Sequence, residues 1–544
     1  MQMTMGRLGV LLLAMLAVAH AQTCPGGASR AAVRVSDDNE AQLLVCPPTG
    51  ENGSVFIGGR LVTSEVEELK ARVQIAESNL VATQTELAAA QTELAATQTK
   101  LAAMQGGLAA AQGELVTTKS LVAPAYEAAL SWTRLVGTSG DDVGNGVAVD
   151  GNGNVYVAGD VNGDLDGQTT AGGRDITLIK FNSAGTKLWT RLVGTSTADY
   201  GFGVAVDGTG DVYVTGYASG NLDGQTNAGV PGSYDIALIK FDSAGTKLWT
   251  RLVGTSNNDY GRGVGVDGNG GVYVTGSVFG DLDGQTNAGG SDIALIKFDS
   301  VGAKLWTRLV GTSSSDVGRG LAVDSSGSIY VAGYTLGNLD GQTNADNYDI
   351  ALAKFDSAGN KLWTRQVGTS STDRSYGVAV DGNGSAYVTG YTLGDLDGQT
   401  NAGRYDIALI KFDSAGSKLW TRLVGTARSD YGYGVALDGN GDVYVTGETW
   451  DALDGQTNAG GRDIALIKFN SAGTKLWTRL VGTTEYDYGY GVVVDGDGNV
   501  YITGYTLGDL HGQTNAGDND IAPIKFNSAG TKLWTRLVGT SSSD

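Results

Sequence analysis

Eight tryptophans divide the last three quarters of the chain into units of almost constant length. Each tryptophan begins a segment of the form Trp-Thr-Arg-[Leu or Gln]-Val-Gly-Thr, and successive tryptophans are 57 residues apart except for one interval of 60. They are Trp132, Trp189, Trp249, Trp306, Trp363, Trp420, Trp477 and Trp534. A fixed period in this range is the sequence signature of repeat architectures such as solenoids and propellers. This part of the chain is therefore one small unit copied many times.

Each unit contains four short runs rich in Val, Ile and aromatic residues, and turn residues bound every run. In one unit the runs are 203–207, 212–217, 235–241 and 248–254. Such runs predict strands, and the short Asp-Gly-x-Gly and Asp-Ser-Ala-Gly-Thr connections predict tight hairpins, the first of them a type I′ turn. Four antiparallel strands per repeat, with no helical pattern between them, predict an all-β fold, a seven-bladed β-propeller.

Three elements of the unit carry a resemblance to a known family: Trp-Thr-Arg, Gly-Val-Ala-Val-Asp-Gly-x-Gly-x-Val-Tyr-Val-Thr-Gly and Asp-Ile-Ala-Leu-x-Lys-Phe. Together they resemble the SBBP-type β-propeller repeat of bacterial-type secreted and surface proteins. The resemblance covers residues 131–544. It implies an extracellular protein and supplies no common set of catalytic residues.

The strand count leaves one strand over, because there are seven copies of the first three strands and eight of the tryptophan strand. Seven blades run from about residue 144 to 539, and the strand at Trp132 is surplus. It either completes the last blade in place of Trp534, which closes the ring by strand exchange, or packs outside. Pro523 removes a backbone donor from an inner strand, so the seventh blade is expected to be the weakest.

The segment before the repeats reads as three parts. Residues 1–21 have the form of a signal peptide, with Arg7, an apolar run and a small-residue cleavage site before Gln22. The sequence thus predicts a secreted protein, extracellular or on the cell surface. Residues 22–61 form a small head in which Cys24 and Cys46 are expected to make one disulfide, with pairing between chains as the alternative.

Residues 62–122 are predicted to form a coiled-coil stalk. Apolar residues recur every seven positions over eight heptads: Val66, Val73, Leu80, Leu87, Leu94, Leu101, Leu108 and Leu115. A sustained seven-residue repeat is typical of a left-handed coiled coil. We therefore expect a homo-oligomer formed through residues 62–118. A lone helical spacer is the alternative, and the pattern leaves dimer and trimer equally open.

Charge and histidine content restrict the function. The chain has 37 Lys and Arg against 58 Asp and Glu, a net charge of −21, which argues against nucleic acid as a partner. No apolar run is long enough to predict membrane insertion. Only His20 and His511 are present, and a Ser-His-Asp triad or a histidine metal site needs such a residue. We expect no enzymatic activity; a carboxylate pair acting on a polysaccharide is a less favoured reading.

The two long loops of each blade should share one face, where binding sites usually lie. Candidate ligand-binding residues in the first loop are Asp142, Asp199, Asp259, Asp316, Asp373, Asp430 and Asp487, and those in the second are Asp166, Asp223, Asp283, Asp340, Asp397 and Asp454. His511 stands at the second position in the seventh copy. Oxygen-rich loops can also hold Ca²⁺. The candidate calcium ligands are the pairs Asp164 and Asp166, Asp281 and Asp283, and Asp395 and Asp397.

Two functions remain open from the residues alone, and so does a third reading of the loops. The favoured one is a secreted, multimeric, non-enzymatic recognition or adhesion protein that presents acidic propeller loops to carbohydrate or another surface ligand, with calcium assisting. The second is a structural coat or matrix protein without a specific small ligand. In a third reading of the loops, their Asp and Asn residues only form local Asx turns and keep the surface soluble.

Overall fold

The computed structural model describes residues 31–35, 41–45, 71, 74–75, 78–79, 81–82, 84–102 and 140–537 of the chain. The chain divides into two compact units, Met1–Ser131 and Trp132–Asp544. The predicted signal peptide, Cys24, Cys46 and the Trp132 strand lie outside the described residues. Among the described residues, no helix is both long and apolar enough to cross a membrane.

The N-terminal unit contains a hairpin and a helix. Strand β1 (Ala31–Val35) pairs antiparallel with β2 (Ala41–Val45). Residues 84–102 are helical, and the described residues between 71 and 82 are each helical as well. The helical state agrees with the stalk prediction, whereas the supercoil itself stays a prediction.

The C-terminal unit is a seven-bladed β-propeller within residues 140–537, and each blade is one antiparallel sheet of consecutive strands. The first strands are β3 (Val143–Val149), β7 (Asp199–Val206), β11 (Tyr260–Val266), β15 (Asp316–Val323), β19 (Asp373–Val380), β23 (Asp430–Leu437) and β27 (Asp487–Val494). The second strands are β4 (Val155–Val161), β8 (Val212–Ala218), β12 (Val272–Val278), β16 (Ile329–Thr335), β20 (Ala386–Thr392), β24 (Val443–Thr449) and β28 (Val500–Thr506).

The outer half of each blade completes the sheet. The third strands are β5 (Asp175–Phe181), β9 (Asp235–Phe241), β13 (Asp292–Phe298), β17 (Asp349–Phe355), β21 (Asp406–Phe412), β25 (Asp463–Phe469), and in blade 7 the pair β29 (Asp520–Ile521) and β30 (Ile524–Phe526). The fourth strands are β6 (Lys187–Val193), β10 (Lys247–Val253), β14 (Lys304–Val310), β18 (Lys361–Val367), β22 (Lys418–Val424), β26 (Lys475–Val481) and β31 (Lys532–Thr535). The described residues contain a single 3₁₀ turn, Leu339–Gly341.

The core lies between the blades. Second and third strands are almost wholly buried, because each sheet packs face to face against the sheets on both sides. This explains why their sequences are nearly continuous apolar runs and do not alternate. Val212, Val214 and Ile239 of blade 2, for example, join one buried cluster with Tyr156 of blade 1.

The first strands begin earlier than the sequence predicted and contain a bulge. In blade 2 the ladder starts at Asp199 and shifts register between Gly201 and Gly203, so Phe202 is an extra residue opposite the second strand. The prediction placed the start at Gly203 because a Gly-rich segment breaks the alternating pattern. A β-bulge keeps the strands paired and re-aims one side chain. The same shift occurs in the first strand of every blade.

The ring closes by packing between blades 7 and 1. The first strand of each blade contacts that of the next, and β27 contacts β3. Across this last joint Lys525 Nζ donates to the Ser183 carbonyl (3.1 Å) and Arg536 Nε to the Gly185 carbonyl (3.0 Å). The fourth strand of blade 7 is β31, which contains Trp534, so the described sheets show no strand exchange.

Two local predictions had different outcomes. The Asp-Gly-x-Gly hairpin is not a type I′ turn, because that turn needs two central residues with positive φ and only Gly153 of the hairpin after Asp150 has one. The Asp150 carboxylate instead accepts the N–H groups of Asn152 and Asn154. Pro523 does interrupt the seventh blade, since it lies between the two short pieces of the third strand.

Candidate functional site

The first group of predicted binding residues is buried. Asp199 is representative: Oδ2 accepts the Thr195 N–H (2.5 Å) and hydroxyl (2.9 Å), and Oδ1 accepts the Ser219 N–H (3.0 Å). Burial raises its pKa to about 6 against these hydrogen bonds. The side chain thus joins two loops of its own blade.

All seven members of this group are fully buried: Asp142, Asp199, Asp259, Asp316, Asp373, Asp430 and Asp487. None of them presents a carboxylate to solvent. Contact with an external ligand stays a prediction for these residues, and their burial argues against it.

The second predicted group lies in the other long loop and faces the fourth strand of its own blade. Asp166 has a positive φ of 54°, pairs with Lys187 Nζ (2.6 Å) and accepts a hydrogen bond from the Thr190 hydroxyl. The Lys contact recurs at Asp223, Asp283, Asp340, Asp397 and Asp454. We call each Asp–Lys–Thr set a loop clamp.

The glutamine two residues after the clamp aspartate strengthens this arrangement. In blade 1, Gln168 Nε2 donates to the Thr190 carbonyl (2.6 Å) and Gln168 Oε1 accepts the Leu192 N–H (3.3 Å). The side-chain amide thereby makes the two hydrogen bonds that a peptide group of a neighbouring strand would make with the outermost strand. An outer strand covered in this way offers fewer free groups for pairing with another chain.

The calcium pairs point to different protein partners. Asp164 Oδ1 accepts the Thr170 N–H (3.0 Å), while Asp166 is held by Lys187. Asp281 and Asp395 likewise accept backbone N–H groups, and Asp283 and Asp397 pair with lysines. Within the described ranges no three Asp, Glu, His or Cys side chains are grouped to hold a metal. Calcium binding stays a prediction.

His511 replaces the clamp aspartate in blade 7. Its Nδ1 lies 3.1 Å from the Thr535 hydroxyl, and burial together with Lys532 lowers its pKa to about 4. Burial also lowers the pKa of Lys532 to about 8. The position is therefore a variant clamp in which the lysine faces a neutral ring.

A different set of residues marks a candidate site. The seven repeats are nearly identical, yet four positions in each blade hold unlike residues. The second residue of the first-strand segment is Val143, Tyr200, Tyr260, Val317, Arg374, Tyr431 or Tyr488; the bulge residue is Asn145, Phe202, Arg262, Arg319, Tyr376, Tyr433 or Tyr490. The sixth residue of the second strand is Asp160, Tyr217, Ser277, Tyr334, Tyr391, Glu448 or Tyr505; the residue before the third strand is Arg174, Tyr234, Ser291, Tyr348, Tyr405, Arg462 or Asn519. We call this set the mouth cluster.

The first-strand bulge explains how the mouth cluster assembles. Glycines flank the bulge residue in most blades, and they allow adjacent first strands to approach backbone to backbone. A Cβ on Gly203 would lie 2.9 Å from the Arg262 carbonyl oxygen of the next blade. Bulge residues of neighbouring blades can then touch: the Tyr376 and Tyr433 rings are 5.2 Å apart and the Tyr433 and Tyr490 rings 5.0 Å.

Ring contacts continue between blades around the cluster. Tyr217 lies 4.9 Å from Tyr260, and Tyr391 lies 4.9 Å from Tyr431, each pair edge to face across a blade boundary. The Arg462 guanidinium lies 5.0 Å from the Tyr488 ring of the next blade. Such contacts hold aromatic faces in fixed orientations. The cluster is therefore one continuous surface contributed by many blades.

Two buried acids in the cluster are paired with arginine. In blade 1, Arg174 contacts Asp160 (2.6 Å) and Asp141 (2.7 Å), and burial raises the pKa of Asp160 to about 7 although Arg174 opposes the shift. In blade 6, Glu448 contacts Arg462, and burial raises the pKa of Glu448 to about 8. These acids hold arginines within the cluster.

A depression of about 550 Å³ lies on the same loop side of blades 2 and 3. It is lined by the three-residue insertion 230–232, by residues 256–258 and by Phe279, which is 40% exposed. Phe279 contacts Tyr260 of the mouth cluster with ring centres 6.0 Å apart. The only length difference between the repeats thus adjoins the cluster.

The prediction from the sequence selected acidic loop residues and did not identify the mouth cluster. The missed signal was available: differences between repeats that are otherwise alike. Alternating strand patterns could not show that these four positions meet, because the bulge changes which way the first-strand side chain points.

Comparison with known proteins supports the fold. The SBBP beta-propeller repeat family matches seven segments, residues 131–166, 188–223, 248–277, 305–340, 362–397, 419–453 and 476–511. The regulatory protein FlaEY of Caulobacter vibrioides is 27% identical over 450 residues, covering 71% of this chain and 46% of FlaEY. An uncharacterized WD repeat-containing protein of Acanthamoeba polyphaga mimivirus is 22% identical, covering 77% of this chain and 38% of that protein. The chain therefore spans less than half the length of these curated relatives.

Matches to solved structures have low identity and TM-scores below 0.5. An ulvan lyase is 11% identical with a TM-score of 0.44, and the match covers 74% of this chain and 98% of the lyase. The propeller domain of the Trilobed protease from Pyrococcus furiosus is 9% identical with a TM-score of 0.40, covering 73% and 97%. These values indicate nothing about a shared activity. The matched segments, by contrast, recur once in each repeat, and the propeller of this chain is built of seven repeats of the SBBP beta-propeller family.

Proposed function

We propose that this chain is a secreted, multimeric recognition protein whose mouth cluster binds a carbohydrate. One observation carries the proposal: in a set of nearly identical repeats, four strand and strand-edge positions hold unlike residues, and their aromatic rings and arginines contact one another across blade boundaries. A scaffold alone would not need unlike residues there. Rigid loops and strand ends on a propeller are also where binding sites usually lie.

The chemistry of the cluster suits a sugar. Tyrosine rings offer apolar faces for the C–H side of a pyranose, and their hydroxyl groups accept and donate hydrogen bonds. Tyr488 and Tyr505 are stacked 4.5 Å apart, and Tyr431 and Tyr433 are nearly parallel at 6.3 Å. Fixed rings of this kind lose little conformational entropy when a ligand binds.

In this proposal the acidic loop residues hold the loops in place, whereas the sequence suggested that they bind the ligand. Their carboxylates are engaged in loop clamps and buried turns, so we assign them the task of holding the loops. The chelator test described below decides whether calcium assists binding. We propose no catalysis, because the two buried acids of the cluster, Asp160 and Glu448, lie in different blades and each is held by an arginine.

Multimerisation is proposed through the helical segment. Leu87, Leu94 and Leu101 follow one another at seven-residue intervals and are 58%, 58% and 52% exposed in the single chain. A second copy of the same helix offers an apolar stripe with the same spacing. Several propellers held together in this way would bind a repetitive glycan with avidity, even where each contact is weak.

The test is a glycan array probed with the full chain, with and without chelator. Specific, saturable binding is expected, and two variants should weaken it at least fivefold: Tyr260→Val and Phe279→Leu. Each introduces the residue that blade 4 has at the same position, Val317 and Leu336, so the fold should tolerate it. Thr209→Asn, a change in a hairpin at the opposite end of the blade, is the matched control.

Two results would count against the proposal. Failure of the wild-type chain to bind any glycan removes it, and equal binding by Tyr260→Val and the control removes the mouth cluster as the site. Loss of binding with chelator would instead return calcium to the description of the site.

A structural coat or matrix protein is the second candidate, and one observation favours it. Each fourth strand exposes a leucine on the outer rim, with exposed fractions from 47% to 53%: Leu188, Leu248, Leu305, Leu362, Leu419, Leu476 and Leu533. These side chains lie one per blade and form no continuous patch, so the observation is weaker. Concentration-dependent assembly of a chain lacking residues 62–118, together with a negative array, would favour this candidate.

A further inference from the structure

The mouth cluster contains five arginines with two different environments. Arg174 and Arg462 pair with carboxylates. Arg262, Arg319 and Arg374 pair with no carboxylate in the part of the chain that the structure describes. A chain of net charge −21 thus places three cations in adjacent blades, 3, 4 and 5, without an acid beside them.

Two of the three guanidinium groups lie against one tyrosine, and the third stacks on aromatic rings of blades 2 and 3. Arg319 lies 5.6 Å and Arg374 lies 4.8 Å from the centre of the Tyr334 ring. Arg262, one blade earlier, stacks at 4.0 Å on Phe202, and its pKa is lowered to about 10 by burial and by the charge of Arg319. A Cβ built on Gly263, the residue after Arg262, would lie 3.0 Å from the Arg319 carbonyl oxygen, so the two arginines occupy adjacent positions on neighbouring first strands.

Several donor groups of these arginines have no partner. The Nε atoms of Arg319 and Arg374 are buried without a hydrogen bond. Arg262 donates no hydrogen bond to any described residue, whereas Arg319 donates to the Tyr334 hydroxyl at 3.0 Å. The reason lies in the sequence: blade 3 has Ser277 where blade 4 has Tyr334, and a serine is too short to reach.

Buried donors in folded proteins are nearly always satisfied, and unpaired cations in a partly buried site favour an anion. Arginine presents a planar fork that binds carboxylate, sulfate and phosphate groups through two hydrogen bonds. Stacking on rings fixes the plane of each fork before a ligand arrives. The arginine N–H groups without partners and the absence of a carboxylate beside these arginines both indicate a negatively charged ligand.

We propose that Arg262, Arg319 and Arg374 form an anion subsite of the mouth cluster that takes a carboxylate or sulfate group of an acidic glycan. This inference rests on the proposed function for the glycan, but the subsite itself can be tested with a simple anion. The subsite lies beside the surface that Tyr260 and Phe279 extend toward the depression in blades 2 and 3. A chain of sugars could therefore place its ring on the aromatic faces and its acidic group on the arginines.

The experiment uses the full chain and three glycans: an oligogalacturonate that carries carboxylates, a sulfated galactan oligosaccharide, and neutral cellohexaose. Binding is measured by calorimetry at low and high salt. At least one acidic glycan should bind at least tenfold more tightly than cellohexaose, and high salt should reduce that preference. The two acidic glycans distinguish a carboxylate from a sulfate as the natural group.

Variants separate charge from folding. Arg262→Gln combined with Arg319→Gln should lower the affinity for the preferred acidic glycan at least tenfold and lower the affinity for cellohexaose by a clearly smaller factor. Lysines at both positions keep the charge but lose the planar guanidinium, so they should lower the affinity for the preferred acidic glycan about threefold. This second variant tests the subsite even if the glutamine variant fails to fold. Arg428→Gln is the control, because it makes the same substitution outside the mouth cluster. Its exposed ion pair with Asp451 contributes little to stability, so the variant should fold as the wild type does.

Inorganic sulfate separates the two proposals. At low millimolar concentration, below the range in which sulfate stabilises proteins in general by exclusion from their surface, it should raise the melting temperature of the wild-type chain and of Arg428→Gln, but not that of the double glutamine variant. If sulfate stabilises only the chains with intact arginines and no glycan binds, the subsite stands and the proposed function fails. The subsite is refuted if acidic and neutral glycans bind equally, or if a folded double variant keeps the full affinity and the full sulfate effect.

Discussion

Replacement of Gly216 by alanine should destabilise the propeller at the bulge that aims Phe202 into the mouth cluster. Gly216 lies in the second strand directly opposite Gly201, where the first strand changes register. A Cβ built on Gly216 lies 2.9 Å from the Tyr200 carbonyl carbon and 3.0 Å from the Gly201 Cα, and closer still to the Tyr200 carbonyl oxygen. All three obstacles are backbone atoms, so no side chain can rotate away.

The expected cost follows from that geometry. The two strands must separate by several tenths of an ångström or more against the neighbouring blades, which places the change at the upper end of overpacking, about 3 kcal/mol. Unfolding entropy grows with size, so for a folded unit of this length the loss corresponds to a fall in Tm of about 4 °C. Thermal unfolding followed by circular dichroism at one scan rate measures it.

Gly208→Ala in the same blade is the matched control. Gly208 lies in an exposed hairpin, and a Cβ there meets nothing within 4 Å. Its substitution should leave stability within about 1 kcal/mol of the wild type, on the stabilising side, because alanine restricts the unfolded chain. Equal melting temperatures for the two variants would refute the close approach of the strands and, with it, the explanation of how Phe202 is placed.

Three further predictions concern ionisation and assembly. Burial raises the folded-state pKa of Glu448 from 4.5 to about 8, although Arg462 opposes this shift. The stability that Glu448 contributes is therefore full below pH 4.5 and is lost as the pH rises through 8. Denaturation between these pH values should show declining stability that Glu448→Gln flattens, and an unchanged slope in the variant would contradict the argument. His511→Asp should complete the loop clamp with Lys532 and raise stability by about 0.5 kcal/mol at pH 7, measured by thermal unfolding, whereas a loss would show that the histidine is the better partner. Deletion of residues 62–118 should reduce the sedimenting species to a monomer, and an unchanged oligomer would refute self-association through the stalk.

The sequence was sufficient for the architecture. The 57-residue period, the turn residues and the apolar runs determine strand number and order within a blade, because these depend on neighbours along the chain. The near-continuous apolar runs of the second and third strands also follow from burial on both sides. Seven blades were therefore predictable, and so was the interruption at Pro523.

The site was not predictable in the same way. The sequence marks Asp199 and Asp166 as alike, since both are acidic loop residues, but only the folded chain shows that one is buried beneath a turn and the other is clamped to Lys187. Their environments depend on loops that meet after the blade has formed.

What the sequence alone determined is the repeated sheet, whose pattern is local and recurs seven times. The folded chain alone shows where unlike residues meet. A one-residue bulge turns Arg262 and Arg319 toward a surface shared by several blades, and packing of neighbouring blades brings together positions that lie 57 residues apart in the chain. Side-chain direction after a bulge and contact across blades are properties of packing, which no pattern within a single strand contains.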